Sequence, residues 1–148
     1  MAYELSEKLI DYSEVHFVGI QTGGSTFAKI LQAKVEAILG IEIGYSDLSL
    51  NKKEPAGSIL ISPAFTTQNS NSCLVLIDDV LQSGRTMTYA LAECMGHKWD
   101  GIITCVLVDR QHGKYPVKAD VAGMSLSTTL QENIDVTWNG NQADVFLV

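Results

Sequence analysis

Two adjacent carboxylates, Asp78 and Asp79, stand between an apolar run at residues 73–77 and a small polar turn. Neighbouring carboxylates are good acceptors for the vicinal hydroxyl groups of a sugar, which are hydrogen-bond donors. The same pair also strengthens the local field for a divalent cation, directly or through water. The pair therefore predicts a sugar site with a possible cation. The alternative is one capping Asp and one turn Asp without a ligand.

The turn after the carboxylates has the composition of an anion-binding loop. It contains Ser83 and Gly84 and runs into a predicted helix at residues 86–95. Backbone N–H groups and the helix N-terminus favour a phosphate at such a place. A second loop, which contains Gly23 and Gly24, follows a predicted strand and also permits close backbone approach. The sequence therefore predicts two phosphate loops, although it contains neither GxxxxGK[ST] nor GxGxxG, which argues against an ATPase and a standard nicotinamide enzyme.

Alternating strands and helices are needed to bring these loops together. The hydrophobic pattern predicts helices at 4–14 and from Ser25 or Thr26 to Gly40, besides the helix at 86–95. Strands are predicted at 15–20, 41–45, 73–77, 101–108, 134–138 and 145–148. This order predicts a mainly parallel α/β sheet, in which both loops follow the carboxyl ends of strands. The irregular segment 46–72, with a short strand in its centre, is predicted to be a flap or an ordinary surface excursion.

The bulk composition limits the classes of partner. The chain has 148 residues, 46% of them hydrophobic, and a net charge of −7, which fits one domain, residues 1–148. An acidic chain with scattered basic residues is disfavoured as a general binder of RNA or DNA. The three cysteines show no metal-binding spacing, and no signal peptide or membrane span is visible, so a cytoplasmic protein with buried thiols is expected.

The stretch VLIDDVLQSGRT resembles the 5-phosphoribosyl-1-pyrophosphate (PRPP) signature of type I phosphoribosyltransferases. LVDRQHGKYPVKADVAG, FVGIQTGG and SDLSLNKKE are similar to segments of the pyrimidine operon attenuator/uracil phosphoribosyltransferase family. The likeness runs from about residue 9 to residue 136. It implies an open, mainly parallel five-stranded sheet with flanking helices and a small hood, a homodimer or larger assembly, and transfer of the phosphoribosyl group to a base with Mg²⁺ as cofactor.

The resemblance also implies a role for individual residues. Asp78 and Asp79 would hold the ribose hydroxyls and the metal, directly or through water, and flap residues Lys52 and Lys53 would act in catalysis. The PRPP loop would consist of the same two acids and Leu81, Gln82, Ser83, Gly84, Arg85 and Thr86. The pyrophosphate would meet Thr22, Gly23 and Gly24. The base would meet Asp109, Arg110, Ile134, Asp135 and Val136.

Departures from the family pattern bear on the base and the rate. Gln82 stands where purine-specific members have an acid, and Asp109 where they have a lysine, which favours a pyrimidine such as uracil. Gly23 stands where the attenuator family has a basic residue. Basic positions after Arg110 are reduced, which disfavours RNA binding. Three hypotheses stay open: a uracil-type transferase, a nucleotide-sensing regulator that binds RNA, and a PRPP or nucleotide-binding homologue with weak or no catalysis.

Overall fold

The computed structural model describes residues 1–66, 70–129 and 131–148. Three helices and eight strands follow one another along the chain. Their bounds are α1 (Ala2–Leu9), β1 (Glu14–Ile20), α2 (Gly23–Leu39), β2 (Gly44–Ser49), β3 (Leu60–Ser62), β4 (Ser72–Leu81), α3 (Arg85–Cys94), β5 (Gly101–Asp109), β6 (Val121–Ser125), β7 (Ile134–Asn139) and β8 (Gln142–Leu147). None of the helices in this described part of the chain is long and apolar enough to cross a membrane.

The central sheet has six strands in the order β3-β2-β1-β4-β5-β6. Five neighbouring strands, β2, β1, β4, β5 and β6, are parallel. Strand β3 is antiparallel to β2 at one edge of the sheet. The predicted five-stranded parallel sheet is therefore confirmed, with one short antiparallel strand added. Strands β7 and β8 form a separate antiparallel pair. This hairpin takes the place of the predicted hood.

Both faces of the sheet are covered by helices, which explains why β4 is apolar from Cys73 to Ile77. On one face, α1 and α2 pack Leu5, Leu9 and Phe27 among others against alternate residues of β1 and β4. On the other face, α3 contributes Met87 and Ala90. Cys73, Cys94 and Cys105 are buried and free, as predicted, and burial raises the pKa of each thiol to about 12.

Several predicted boundaries are wrong. The strand predicted at 73–77 continues to Leu81, because β5 keeps pairing with β4 after β1 has ended. The strand predicted at 41–45 begins only at Gly44, and the helix predicted at 4–14 ends at Leu9. Helix α2 begins at Gly23, earlier than a cap at Ser25 or Thr26 would allow. Gly40 does end α2, in the left-handed conformation with φ = 66°.

The segment predicted as a flap, residues 46–72, is partly strand. Its first four residues belong to β2, its last residue begins β4, and β3 lies between them. Residues 67–69 of this segment lie outside the described residues. The stretch from 50 to 59, which carries Lys52 and Lys53, contains turns and joins β2 to β3. This shorter stretch is therefore the part of the segment that has the form of a flap.

Candidate active site

The paired acids lie within the last part of β4, where the strand has a neighbour on one side only. Asp78 pairs in register with Val106 of β5, whereas the pairing of β4 with β1 ends at Ile77. Backbone N–H groups next to the acids are bound locally: Asp79 N donates to Asp78 Oδ1 at 2.9 Å, and Val80 N donates to Asp79 Oδ1 at 2.8 Å. These bonds hold both carboxylates at the carboxyl edge of the sheet.

Asp78 is an acid in an apolar setting. Only 3% of its surface is exposed. Burial raises the pKa of this carboxyl well above its ordinary value, Lys52 lowers it, and the charge of Asp79 raises it. Such a perturbed acid at the end of a central strand is typical of a functional site. Asp79 is less buried and is the more accessible acid of the pair.

The loop at residues 81–86 joins β4 to α3 and has its conformation fixed by a glycine. Gly84 has φ = 81°, and a Cβ there would lie 2.7 Å from Val117 Cγ1, so this position accepts only glycine without rearrangement. The Ser83 carbonyl accepts hydrogen bonds from Lys114 N and Tyr115 N. The predicted PRPP loop is thus braced from outside by the 114–117 segment, which sequence reasoning did not identify.

Arg85 begins α3 and has an unused donor. Its Nε atom is buried and finds no hydrogen-bond partner among the described residues. Together with Asp78 and Thr86, Arg85 lines a small cavity enclosed by the loop. A buried guanidinium donor without a partner is costly unless a ligand satisfies it, and an anion is the natural ligand. The loop therefore has the chemistry of an anion site.

The second predicted loop lies directly against the acids. A Cβ on Gly23 would be 1.8 Å from Asp79 Oδ2, and a Cβ on Gly24 would be 2.7 Å from the Ile77 carbonyl oxygen. The two glycines thus permit a contact between loop and strand that any side chain would obstruct. Thr22 precedes α2, and within the described residues its side chain makes no capping hydrogen bond. The structure therefore brings the residues of both predicted loops together.

The two flap lysines differ in their surroundings. Lys52 is close enough to Asp78 for its charge to lower the pKa of that carboxyl. Both lysines are exposed, and the backbone N–H of Lys53 donates to Asn51 Oδ1 at 3.0 Å. Lys52 is therefore the flap residue that the structure brings to the acids.

Of the residues predicted to contact a base, Asp109 is the last residue of β5 and Arg110 follows it. Asp109 borders a cleft of about 830 Å³ that Leu81, Gly84 and Tyr115 also line. Arg110 is buried, with its Nε donating to Thr128 Oγ1 at 2.7 Å and its Nη2 to the Thr129 carbonyl at 2.9 Å. The Arg110 guanidinium therefore holds the 126–129 segment in place.

The other three predicted base residues lie on β7 of the hairpin. Ile134 is buried, Asp135 is exposed and Val136 is half-buried. The hairpin packs on α2 through Trp138, whose ring stacks on Phe27 at a centroid distance of 5.8 Å. The structure places these residues on a different element from Asp109.

A polar cluster beside the glycine loop was missed from the sequence. The Tyr45 hydroxyl donates to Asp47 Oδ1 at 2.5 Å, and Lys29 Nζ lies 5.3 Å from the centroid of the Tyr45 ring. Burial favours a raised pKa for Asp47, but hydrogen bonds from Tyr45 and Ser25 and the charge of Lys29 lower it overall. A lysine on an amphipathic helix looks like ordinary solvated surface, so only the fold reveals this contact.

The acids at the end of β4 are the groups of the site that could hold a metal. No group of three or more His, Cys, Asp and Glu side chains that would hold an ion occurs among the residues described. Mg²⁺ differs from other ions in keeping several waters and binding one or two carboxylates plus substrate phosphates. Asp79, with Asp78 behind it, fits this mode.

Comparison with known proteins shows one consistent family. The model of the phosphoribosyl transferase domain matches residues 1–140. The "Bifunctional protein PyrR" of Geobacter sulfurreducens is 34% identical over 146 residues, covering 94% of this chain and 82% of the relative. The "Bifunctional protein PyrR 2" of Lactiplantibacillus plantarum is 32% identical, covering 94% of this chain and 83% of that protein.

Solved structures share the fold at low sequence identity. The hypoxanthine phosphoribosyltransferase of Trypanosoma cruzi superposes with a TM-score of 0.71 at 14% identity, covering 95% of this chain and 78% of that chain. A hypoxanthine-guanine phosphoribosyltransferase of Bacillus anthracis gives a TM-score of 0.64 at 19% identity, with 90% and 77% coverage. The predicted fold is therefore confirmed.

Proposed function

Because the chain belongs to the phosphoribosyl transferase domain family, we propose that it transfers the 5-phosphoribosyl group of PRPP to a pyrimidine base, with release of pyrophosphate. The observation that carries this proposal is the contact between Gly23 and Asp79. It joins a candidate pyrophosphate loop to the acids, and the acids continue into the loop that holds the unpartnered Arg85 Nε. Three subsites for one pyrophosphorylated sugar phosphate are thus contiguous.

In the proposed reaction, the base nitrogen bonds to the anomeric carbon while the bond from that carbon to the pyrophosphate oxygen breaks, and the proton of that nitrogen passes to the departing pyrophosphate or to water. Asp78 and Asp79 accept hydrogen bonds from the ribose hydroxyls and orient the sugar. Residues 81–86 bind the 5-phosphate through backbone N–H groups and the Arg85 side chain. Thr22, Gly23 and Gly24 bind the departing pyrophosphate, and their donors stabilise charge where it develops.

The stretch from 50 to 59 is proposed to close over the bound ligands as a flap. Lys52 would bring a positive charge to the site, and Lys53 would lie further out. Closure would exclude water and protect the activated sugar from hydrolysis. The charge of Lys52 lowers the pKa of Asp78, which supports this arrangement.

Mg²⁺ is the proposed cofactor, and Asp79 would hold it together with the bound PRPP, directly or through water. When bound, it would neutralise part of the charge of the pyrophosphate. Asp78 is less suited to direct contact, because burial favours its protonated form.

Uracil is the proposed base. Gln82, unlike an acid, cannot accept a proton from a purine, and Asp109 offers an acceptor to the N–H group of a pyrimidine. The resemblance to the pyrimidine operon attenuator/uracil phosphoribosyltransferase family supports a pyrimidine, whereas the solved structures share only the fold. Asp109, Ile134, Asp135 and Val136 remain candidates for contacts to the base, with Arg110 as the residue that positions the neighbouring segment.

The test is formation of nucleotide from PRPP and Mg²⁺ with uracil, cytosine, hypoxanthine or guanine as acceptor. We expect uridine monophosphate and pyrophosphate in equal amounts. An Asp79→Asn variant should lose most of the activity while melting at the temperature of the wild type. If no base gives a product, the transferase proposal fails. A product with a purine alone would contradict the assignment of the base.

A regulatory role is the second candidate, because both relatives are named bifunctional. In this role the chain would sense a nucleotide and bind pyrimidine-operon RNA. The net charge of −7 disfavours it. RNA binding that weakens steeply with salt and responds to uridine nucleotides would support it, whereas absence of binding near 150 mM salt would remove it.

The active form is proposed to be a homodimer or larger assembly. Phe146, Leu147 and Val148 at the end of β8 are at least half exposed, which supports an interface there. Light scattering across a dilution series tests the assembly, and a monomer at all concentrations would contradict it.

A further inference from the structure

The glycine loop of the proposed pyrophosphate site contains no charged side chain. Residues 21–26 read QTGGST. A basic residue at position 23 would not fit, because even a Cβ would lie 1.8 Å from Asp79 Oδ2. Pyrophosphate is a highly charged leaving group, and its departure benefits from a cation nearby. If the loop supplies only neutral donors, the charge must come from another element.

A cleft of about 460 Å³ leads from this loop along the first turns of α2. Thr22, Thr26 and Lys29 line it, and their spacing of four and three residues places them on one side of the helix. Asn141 at the tip of the β7–β8 hairpin and Asp47 of β2 border the same cleft. The polar side chains that line the cleft are therefore three hydroxyls, two amides, the carboxylate of Asp47 and the ammonium group of Lys29.

Lys29 is held in place by an aromatic ring. Its Nζ lies 5.3 Å from the centroid of the Tyr45 ring, within the range of a cation–π interaction. The Tyr45 hydroxyl is itself fixed, since it donates to Asp47 Oδ1 at 2.5 Å and lies 3.4 Å from the Ser25 carbonyl oxygen. One Asp47 oxygen is thus bound to Tyr45, which fixes the tyrosine ring. The fixed ring in turn positions the ammonium group of Lys29.

We propose that Lys29 of α2 supplies the positive charge on the pyrophosphate side of the active site, in place of a basic residue within the loop. The inference rests on the proposed function, since it assigns a further residue to the same site. Tyr45 is a positioning residue for Lys29. The leaving pyrophosphate would thus meet Lys29 on one side, with Lys52 of the flap nearer to the acids.

Direct titration of the full chain with magnesium pyrophosphate tests this role. Lys29→Met keeps most of the stem and removes the charge, and Lys29→Arg restores a cation. Lys34→Met is the matched control, because Lys34 is exposed on the same helix about 140° further around it. We expect roughly a 10-fold weaker Kd for Lys29→Met, near wild-type binding for Lys29→Arg, and no change for the control.

The inference is overturned by a wild type that does not bind magnesium pyrophosphate. It is equally overturned if Lys29→Met binds as well as the wild type, or if Lys34→Met weakens binding as much. Nucleotide formation is measured separately on the same preparations. Binding that depends on Lys29 without any transfer would remove the proposed function and leave this inference standing. If the protein transfers the phosphoribosyl group but binds pyrophosphate independently of Lys29, this inference fails and the proposed function stands.

Discussion

The carboxylate of Asp79 lies against the backbone of Gly23, so closely that a Cβ on Gly23 would be 1.8 Å from Asp79 Oδ2. The contact links the end of β4 to the start of α2 and makes the two loops parts of one site. No real Cβ tolerates such a distance, and therefore any residue other than glycine at this position must displace the carboxylate.

Gly23→Ala should weaken PRPP use for this reason. We expect the KM for PRPP to rise roughly 10-fold, which corresponds to the loss of one charge-assisted hydrogen bond from a ribose hydroxyl. Gly96→Ala is the control, because Gly96 lies past the far end of α3 and a Cβ there would be 3.2 Å from the Glu93 carbonyl oxygen. The KM for PRPP of both variants is measured by steady-state kinetics. An unchanged KM for Gly23→Ala would show that PRPP binding does not depend on the position of the Asp79 carboxylate.

The buried carboxylate of Asp78 is expected to lower the free energy of unfolding. Burial raises its pKa in the folded chain above the value in the unfolded chain. Between these two pKa values the folded state binds more protons, so the free energy of unfolding falls as pH rises through that window. Asp78→Asn keeps an oxygen that can accept the Asp79 N–H and removes the buried charge. This variant should melt roughly 2–4 °C higher than the wild type at pH 8, which is the shift produced by about 1 kcal/mol.

Thermal denaturation from pH 5 to pH 8 checks this prediction. The gap between Asp78→Asn and the wild type should widen toward pH 8, whereas the exposed Asp11→Asn control should follow the wild type throughout. The same Asp78→Asn variant should lose PRPP binding. A variant that is less stable than the wild type at pH 8 would contradict the assignment of Asp78 as a strained, buried acid.

Lys52 and Lys53 should differ in their effect on the reaction. Both side chains are exposed, but of the two lysines it is Lys52 whose charge lowers the pKa of Asp78. Lys52→Ala should lower kcat/KM for PRPP roughly 10-fold, and Lys53→Ala less than about 3-fold, because charge effects weaken with distance and screening. Each variant serves as the control for the other. Equal losses would mean that the flap closes in a different orientation.

Arg110 should prove structural rather than a direct ligand of the base. Its side chain is 8% exposed and donates to Thr128 Oγ1 and the Thr129 carbonyl. Arg110→Lys cannot form both bonds, so the free energy of unfolding in urea should fall by about 2 kcal/mol. The exposed Lys114→Ala should change it by less than about 0.5 kcal/mol. A raised KM for uracil with unchanged stability would instead indicate direct contact with the base.

The sequence predicted the parallel sheet and the loops because these features depend on local signals. Hydrophobic runs mark buried strands, and the Gly84 turn needs glycine whatever surrounds it. The end of β4 was misplaced because it is set by pairing with β5, a distant partner. The contacts of Arg110 and Lys29 were missed for the same reason, since their partners, Thr128 and Tyr45, are 18 and 16 residues away along the chain. Side-chain contacts between elements depend on the fold, and no local pattern in the sequence predicts them.

Substitutions at two positions should change the base that the protein prefers as acceptor. Gln82 lies in the 81–86 loop and Asp109 at the end of the neighbouring strand β5, paired in register with Leu81. Gln82→Asp introduces a proton acceptor, and Asp109→Lys introduces a donor for a purine carbonyl oxygen. The double variant should therefore gain hypoxanthine activity and lose uracil activity, each by roughly 10-fold, because one hydrogen bond to a substrate is gained or lost.

Competition between radiolabelled uracil and hypoxanthine in one mixture measures this ratio directly. The single variants form the control cycle, since either change alone should reduce uracil use without creating purine use. The two changes should act together because Asp109 pairs with Leu81, the residue that directly precedes Gln82. If the double variant keeps its preference for uracil, then discrimination lies in the β7–β8 hairpin, and Ile134 and Val136 become the positions to change.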